Sequence, residues 1–322
     1  MKSLVSVVMP AYNGEKYIGD AIESIINQSY TEWELIIIDD ASMDHTIDVV
    51  YKYTDSRIKL YRNNENKGIS YSTNLGIAKS KGRYIALLDD DDLAAKDRLA
   101  LQVTYLDQNP SIDILGGRAV NINEKGDILG HDFKAPLNNP KFIKAWMLFS
   151  NQRFSNGTTM IRKEFIDRYN LKFKDDYYGI QDFKFMADSS KVGNISSIDR
   201  ILQFKRIHDM EATQIYISHN YENRKESYAR LQRESICDSG FELTSEQMKV
   251  VTELLPEDNS KQLSNKEMLQ LIEVFDEICS QAKKMQVDYL DELKVVFKQI
   301  IIEKFMRRKD YFDLAKYVRD IL

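Results

Sequence analysis

Residues 34–46 read ELIIIDDASMDHT, and this stretch decides the expected fold. Its apolar core, ELIII, is short and continuous, which predicts a strand that is buried on both faces. The aspartates Asp39 and Asp40 follow that strand directly, and a helical pattern runs from Thr46 to Tyr53. A strand that passes through a polar turn into a helix is the first part of a βαβ unit, from which parallel sheets are built.

The same order of strand, turn and helix occurs on both sides of this stretch. The predicted strands are residues 3–9, 33–38, 57–61 and 84–88. The further predicted helices are residues 17–28 and residues 70–80, the second of which has Ser70 as its expected N-cap. This alternation predicts an α/β fold with a mainly parallel central sheet, flanking helices and right-handed crossovers.

Four polar or turn-rich segments follow the four predicted strands. They are residues 10–13, 39–42, 63–68 and 89–92. In open parallel sheets, ligands bind beyond the carboxyl ends of the strands. We therefore expect these segments to converge on one rim and to form the binding site.

The most distinctive of these segments is LLDDDDL, residues 87–93, which carries four adjacent carboxylates. Such carboxylates repel one another unless a cation or a helix dipole compensates. Their oxygen atoms suit Mg²⁺ or Mn²⁺, and Mg²⁺ typically uses one or two carboxylates together with substrate phosphates. The alternative is a capped helix, because Asp is favoured at helix N-termini and a helical pattern follows over residues 97–109. The position after a buried strand favours the cation site.

The pair Asp39 and Asp40 also has two interpretations that the residues alone leave open. A carboxylate at the end of a strand can accept hydrogen bonds from a nucleotide base or a ribose. It can equally stabilise the following turn through Ser42 and Asp44.

The composition excludes several classes of protein. The 322 residues are 43% hydrophobic and 30% charged, with a formal net charge of -5, which gives no electrostatic case for a nucleic-acid partner. The two cysteines, Cys237 and Cys279, lack metal-ligand spacing and fit a reducing compartment. No apolar run approaches the ~20 residues that cross a bilayer. The apolar start is interpreted as a buried first strand, and a cytoplasmic protein is expected.

The middle and the end of the chain differ from the start. The predicted strands there are residues 112–116, 120–122, 158–161 and 201–205, a hairpin turn is predicted at 124–126, and the predicted helices are 139–149 and 182–190. After about Ile217 only Gly240 remains of the glycines, and amphipathic helices are predicted over residues 268–281 and 289–306. We therefore expect a catalytic domain over residues 1–217 and a C-terminal helical region over residues 218–322.

Three segments in a fixed order carry a resemblance to a known family. They are VSVVMPAYNGEKYI, ELIIIDDASMDHT and NKGISYSTNLGIAKSKGRYIALLDDDD, residues 5–18, 34–46 and 66–92. Together they resemble the family 2 glycosyltransferases, which have the Rossmann-like GT-A fold. The resemblance covers roughly residues 3–208 and weakens after about residue 105. It implies inverting transfer of a sugar from a nucleotide diphosphate donor, usually a UDP-sugar, with Mn²⁺ or Mg²⁺ as cofactor.

The resemblance also implies the partners and the setting. The acceptor would be a hydroxyl of a saccharide or of a lipid-linked saccharide, in the assembly of bacterial polysaccharides. The nucleotide base would be lined by Pro10, Ala11 and Tyr12. Asp40 would hydrogen-bond the base, with Asp39 beside it.

The acidic run matches the family's Asp-x-Asp motif at Asp89 and Asp91. The resemblance directs Asp89 and Asp90 towards the ribose and the donor sugar, and it makes Asp91 the candidate metal ligand. Asp92 would shape the loop or contact the sugar.

The later site residues come from two weaker matches. GIQDFKFMADSSKVGNI, residues 179–195, places the catalytic base at Asp182, although a helix cap is the alternative role of this residue. FKRIHDMEATQ, residues 204–214, brings His208 towards the metal or the diphosphate, while Arg206 or Lys205 would offset phosphate charge.

Two positions depart from the family pattern. Gln181 stands where a Glu usually precedes the base, so the acceptor-binding or supporting carboxylate of the family pattern is missing at this position. Thr73 stands in place of a common Arg, and Lys67 and Lys79 are the candidates to replace that positive charge.

Two other functions and two roles of the tail stay open. A nucleotidyltransferase would release pyrophosphate, and a nucleotide-binding scaffold would catalyse nothing. The tail, residues 300–322, has a basic cluster at Lys304 and residues 307–309 that fits peripheral contact with an anionic membrane. We favour packing against the catalytic domain or a second copy, because acidic residues interrupt the basic face.

Overall fold

The structure is a computed structural model. The residues that it describes are 3–131, 137–150, 155–209, 221–255 and 263–306. The strands are β1 Val5–Ala11, β2 Trp33–Asp39, β3 Ile58–Arg62, β4 Tyr84–Leu87, β5 Leu93–Ala94, β6 Ile114–Ile122, β7 Ile128–His131, β8 Met160–Arg162 and β9 Ile195–Arg206. The first helices are α1 Ile18–Ile26, α2 Thr46–Val50, α3 Ile69–Lys79, α4 Arg98–Gln108, α5 Pro140–Met147, α6 Lys163–Tyr169 and α7 Gln181–Val192. The later helices are α8 Tyr221–Asp238, α9 Ser245–Leu254, α10 Asn265–Lys284 and α11 Leu290–Met306.

These strands form one sheet of mixed direction in the described part of the chain. The order is β3-β2-β1-β4-β8-β6-β9-β5, and β7 pairs with β6. The β3-β2-β1-β4 half is parallel, as the sequence predicts. Beyond it, β8 is antiparallel to both β4 and β6, β9 is parallel to β6, and β5 is antiparallel to β9. The mixed half is built from the region where the strand–helix alternation of the sequence is lost.

Helices cover both faces of the parallel half because its strands are apolar on both sides. Val7 packs on one face with Ile22 of α1, in a cluster that includes Leu35 and Ile37. Val8 faces the opposite way and packs in a second cluster with Ile77 of α3. This burial on both faces is what the continuous run ELIII predicts.

Several predicted elements differ in the structure. Ser70 does not cap α3, because the helix begins at Ile69 after Gly68, whose φ of 86° suits a glycine. The two strands predicted within residues 112–122 form one strand, β6. The strand predicted over residues 158–161 is a 3₁₀ turn, Asn156–Thr158, followed by β8. Among the described elements, β5, β7, α6, α8 and α9 were not predicted.

The C-terminal helices pack against α5 around a shared apolar core. The Phe149 ring lies 5.8 Å from Phe275 of α10 and 5.3 Å from Phe297 of α11, measured between ring centroids. Ile300 and Ile301 of α11 are buried in the same cluster. The described start of the tail therefore packs inside the molecule. The predicted boundary at residue 217 and the basic cluster at 307–309 lie outside the described residues.

None of the helices that the structure describes is long and apolar enough to cross a membrane.

Candidate active site

The four polar segments after the parallel strands converge on one rim, as predicted. The Asp40 N–H donates to the Ala11 carbonyl across 2.8 Å, which joins the ends of β1 and β2. Asn63 Nδ2 donates to Asp40 Oδ1 across 2.6 Å. The Tyr12 N–H donates to the Asp90 carboxylate and thereby brings the acidic loop to the same place. Parallel strands end at the same edge, so these bonds follow from the sheet order.

Asp40 holds the loop that leads into α3. Its carboxylate is 3% exposed and accepts hydrogen bonds from Asn63 Nδ2, from the Lys67 N–H at 3.0 Å and from the Gly68 N–H at 2.8 Å. A carboxylate offers about four acceptor positions, so one stays available to a ligand. Asp40 therefore holds the segment between β3 and α3 at the rim.

Asp39 stabilises the turn that follows β2. It is fully buried, and its oxygens accept the Ser42 N–H at 3.3 Å and face Arg62 Nε at 3.2 Å. The local-turn interpretation of this pair thus applies to Asp39. Asp39 lies beside Asp40, where the resemblance places it.

The residues expected to line a nucleotide base form the end of β1. Pro10 is partly buried and Ala11 is buried. Tyr12 is 47% exposed, so its ring is open to solvent at the rim. An exposed aromatic ring can stack on a flat ligand without prior rearrangement.

The acidic loop, residues 89–92, lies between β4 and β5 and not at a helix N-terminus. Helix α4 begins only at Arg98, with Asp97 as its N-cap residue. The helix-cap interpretation of the acidic run is therefore wrong. The loop is instead a turn at the carboxyl end of a parallel strand, where ligands bind in such sheets.

Asp92 is directed into the protein. It is 2% exposed, and it accepts hydrogen bonds from the Arg206 N–H at 2.7 Å and from Gln203 Nε2. Burial, followed by the charges of Asp91 and Asp89, raises the pKa of Asp92 well above its ordinary value. Its place is that of a residue that shapes the loop.

Asp90 is pressed against the turn after β1. Its Oδ2 atom is buried and has no hydrogen-bond partner among the described residues. A Cβ atom on Gly14 would lie 2.2 Å from this oxygen, so a larger residue there would force the carboxylate or the turn to move. Burial, then the charges of Asp91 and Asp89, raises the pKa of Asp90 well above its ordinary value. A positively charged ligand would relieve this accumulation of carboxylates.

Asp91 and His208 form the pair that fits a divalent cation. Asp91 Oδ2 lies 3.0 Å from His208 Nε2, and the Tyr17 ring packs 4.8 Å from the His208 ring. The carboxylate oxygen suits Mg²⁺ or Mn²⁺, and the imidazole nitrogen is a donor that transition metals accept more readily than Mg²⁺ does. No group of three or more His, Cys, Asp or Glu side chains that could hold a metal ion is found in the described ranges.

Arg206 supports the loop from behind. It is 2% exposed, and its guanidinium donates to the Asp91 carbonyl at 3.0 Å, to the Glu124 carbonyl at 2.7 Å and to Asp20 Oδ2 at 3.0 Å. The guanidinium is thus directed at protein acceptors and not at a phosphate. It joins α1, the β6–β7 turn and the acidic loop.

The lysines considered for phosphate contact lie at the surface. Lys67 is exposed; its Nζ atom is 3.7 Å from Glu65 and 4.9 Å from the centre of the Tyr71 ring. Lys79 Nζ is 5.2 Å from the Tyr61 ring at the other end of α3. Only Lys67 belongs to the rim segments, so it is the better placed of the two.

Asp182 is a partly buried carboxylate in the first turn of α7. Its Oδ1 atom accepts the Phe183 N–H at 2.7 Å, while Ile180 occupies the N-cap position. Burial raises the pKa of Asp182, and the Phe183 N–H and the charges of Arg224 and Lys205 oppose that rise.

Sequence reasoning missed the residues that support this site from other elements. Arg224 of α8 donates to the Gly179 carbonyl just before α7. Glu124, in the β6–β7 turn, accepts hydrogen bonds from Lys16 and from the Tyr17 hydroxyl. Arg224 lies beyond the part of the chain that carries the resemblance, so no motif signal could have found it.

A parallel half-sheet that ends in an acidic loop, continued by a mixed half that brings His208 to Asp91 of that loop, is the arrangement of glycosyltransferases of the GT-A fold. The sequence profile described as glycosyl transferase family 2 matches residues 6–169. The chain belongs to this family.

Comparisons with individual proteins also identify glycosyltransferases. An uncharacterized glycosyltransferase of Haemophilus influenzae is 34% identical over 72% of this chain and 73% of its own length. The Escherichia coli protein WfgD, named a UDP-Glc:alpha-D-GlcNAc-diphosphoundecaprenol beta-1,3-glucosyltransferase, is 34% identical over 54% of this chain and 67% of its own length. The crystal structure of S. aureus TarS with UDP has a TM-score of 0.60 at 20% identity, and the match covers 98% of this chain and 91% of that one. At this identity the last comparison shows the shared fold.

Proposed function

We propose that this protein is an inverting glycosyltransferase that moves a sugar from a UDP-sugar to a hydroxyl of a saccharide or lipid-linked saccharide. The observation that carries the proposal is the rim on which Tyr12, Asp40 and the acidic loop meet at the carboxyl ends of parallel strands. The partly buried carboxylate of Asp182, in the first turn of α7, is the candidate base. A base and a site for a nucleotide diphosphate are the two parts that such a transfer requires.

The donor side of the proposal rests on the rim. The exposed Tyr12 ring offers a stacking surface, and Asp40 keeps one acceptor position for a base N–H. A uracil ring has such an N–H. TarS, which shares the fold, was crystallised with UDP, and the name of WfgD gives UDP-Glc as donor.

A divalent cation, Mn²⁺ or Mg²⁺, would be held by Asp91 and His208. Bound there, it would neutralise charge on the diphosphate leaving group. The chain itself orients this pair: Arg206 donates to the Asp91 carbonyl, and the Tyr17 ring packs on the His208 ring. The Asp91 backbone and the His208 ring are therefore held by contacts within the protein.

Asp182 is proposed to act as the general base. Its carboxylate accepts the proton of the acceptor hydroxyl, and the oxygen forms a bond to the anomeric carbon. The bond from that carbon to the diphosphate breaks, and its electron pair leaves with the nucleotide. Attack from the face opposite the leaving group inverts the configuration. The raised pKa of Asp182 brings it closer to the value that suits a base near neutral pH.

The proposal also includes the acceptor and the domain organisation. A lipid-linked saccharide, as in bacterial polysaccharide assembly, is supported by the name of WfgD. We also propose that residues 1–217 form the catalytic domain and residues 218–322 a helical region that packs on it through α5. The shared core around Phe149 supports that packing.

Leaving-group analysis tests the function. The full chain is incubated with a panel of nucleotide sugars and Mn²⁺, and the products are separated by chromatography. We expect slow release of UDP from one UDP-sugar, which accelerates with the correct acceptor. Release of pyrophosphate would instead indicate a nucleotidyltransferase, and binding without any product would indicate a scaffold.

A further inference from the structure

Helix α8 contacts the chain on both sides of Asp182. Arg224 donates to the carbonyl of Gly179, three residues before Asp182. Lys184 Nζ, two residues after it, lies 3.0 Å from Glu234 Oε2 on the same helix. Asp182 therefore lies between two residues, Gly179 and Lys184, that are both bonded to α8.

The segment before α7 is held in more than one place. Arg230 of α8 pairs with Asp176 at 2.9 Å, and its guanidinium lies 4.4 Å from the centre of the Tyr177 ring. The Tyr177 hydroxyl donates to Glu234. These contacts fix the approach to the turn at Gly179, whose φ of 70° is the left-handed conformation that favours glycine.

The contact after Asp182 is buried and ionic. Lys184 is 4% exposed and pairs with Asp188 at 2.9 Å as well as with Glu234. Burial disfavours its charge, but the hydrogen bonds to Asp188 and Glu234 prevail and raise its pKa. A buried ammonium of this kind must keep its partners, so α7 cannot shift along α8 without cost.

We propose that Arg224 is a positioning residue for Asp182: it fixes the turn that starts α7 and places a positive charge beside the carboxylate. The inference rests on the proposed role of Asp182 as base and adds a task for the C-terminal helical region. That region would then contribute to turnover and not to folding alone.

The charges around Asp182 predict the consequence of losing Arg224. Two cations act on this carboxylate, Arg224 from α8 and Lys205 from β9, and both lower its pKa against the effect of burial. When one of these cations is removed, less positive charge counteracts the effect of burial, so the pKa of Asp182 rises. A base works only when ionised, and the acid limb of the pH–rate profile must therefore move to higher pH.

The test compares pH profiles of kcat/KM for the full chain and four variants. Arg224→Gln and Arg224→Met remove the charge, and the Met side chain keeps an apolar contact with Tyr228, whose ring centre lies 5.4 Å from the guanidinium. Arg224→Lys restores the charge. Lys225→Gln, at the next and exposed position, removes a charge of the same sign and is the matched control.

We expect both neutral variants to lose roughly tenfold or more at neutral pH, since small misplacements of a catalytic group cost this much, and to shift the acid limb upwards. Arg224→Lys returns the limb towards that of the wild type, and Lys225→Gln leaves it unchanged. A uniform loss at all pH values, or a profile equal to that of the control, overturns the inference. If the Arg224→Gln variant folds poorly, the pH profile of the Arg224→Met variant is used for this comparison.

Asp182→Asn, measured alongside, separates this inference from the proposed function. If it retains turnover, Asp182 is not the base, and both proposals fail. If it is inactive while the neutral Arg224 variants keep the wild-type profile, only the inference about Arg224 fails.

Discussion

Asp91 Oδ2 lies 3.0 Å from His208 Nε2, although 117 positions of the chain separate the two residues. Asp91 belongs to the loop after β4, and His208 follows β9, at opposite halves of the mixed sheet. The pair exists only once both halves are assembled. Substitution of either residue therefore tests the proposed cation site.

Asp91→Ala should remove metal-dependent donor binding. The substitution leaves His208 as a single side-chain donor, and loss of even an outer partner typically weakens metal affinity 10–100-fold. Titration calorimetry with UDP and Mn²⁺ should show at least roughly this loss. Asp97→Ala, at an exposed aspartate of the same region, is the control and should bind normally. If the Asp91 variant binds UDP with unchanged Mn²⁺ dependence, Asp91 is not a ligand of the cation.

Asp182→Asn should lose at least ~100-fold in transfer rate, because a general base typically contributes 10²–10⁴-fold. Donor binding should stay near normal, since the side chain is not part of the donor rim. Initial rates of UDP release and calorimetry with UDP measure the two properties. Asp167→Asn, an exposed residue of α6, should change neither. Turnover that survives in the Asn variant would contradict the base.

The same substitution should stabilise the protein at high pH. Burial raises the pKa of Asp182, so the folded state holds its proton more readily than the unfolded state does. The contribution of this group is therefore favourable at low pH and is lost as the pH rises through the folded-state pKa. The Asn side chain carries no charge, so its variant should melt roughly one to three degrees higher than the wild type near pH 8.

Thermal melts at pH 8 and near pH 4 check this difference, which should shrink at the lower pH. Asp167→Asn should show no such pH-dependent gain. An Asn variant that is less stable than the wild type at pH 8 would show that the Asp182 charge is favourable in the fold.

Gly14→Ala should weaken donor binding through Asp90. The new Cβ atom would meet Asp90 Oδ2 at 2.2 Å, so the carboxylate or the turn must move. We expect a loss of roughly tenfold or more in UDP affinity, because small misplacements at a site are costly. Gly130→Ala is the matched control, since nothing lies within 4 Å of a Cβ atom there. Equal affinities of the two variants would place Asp90 outside the donor site.

Phe149→Ala should destabilise the whole chain. Phe149 is 1% exposed and contacts Phe275 and Phe297, so truncation should cost about 3–5 kcal/mol. Urea denaturation should show a lower midpoint, and Tyr51→Ala, at a 72% exposed residue, should stay within about 0.5 kcal/mol of the wild type. If only a helical fraction unfolds early in the Phe149 variant, the C-terminal helices are a separate cooperative unit.

The parallel half of the sheet could be predicted because its signals are local. A run such as ELIII specifies a buried strand whatever surrounds it, and alternation with helices implies parallel neighbours. The cap at Ser70 was predicted wrongly for the same reason. A local pattern favours Ser as a cap, but the Lys67 and Gly68 N–H groups donate to Asp40, and the cap position falls on Gly68, two residues earlier.

The sequence by itself determined four strands, their polar ends and the convergence of those ends on one rim, since parallel strands that share an edge leave no other arrangement. The tertiary structure alone decided which carboxylate faces which partner. Asp92 turns inward to Arg206 while Asp91 turns to His208, although the two are adjacent in the chain. It also decided the partial burial of Asp182 and the contact of Arg224 of α8 with Gly179 just before it. These relationships depend on packing between segments more than forty residues apart, which local periodicity does not encode.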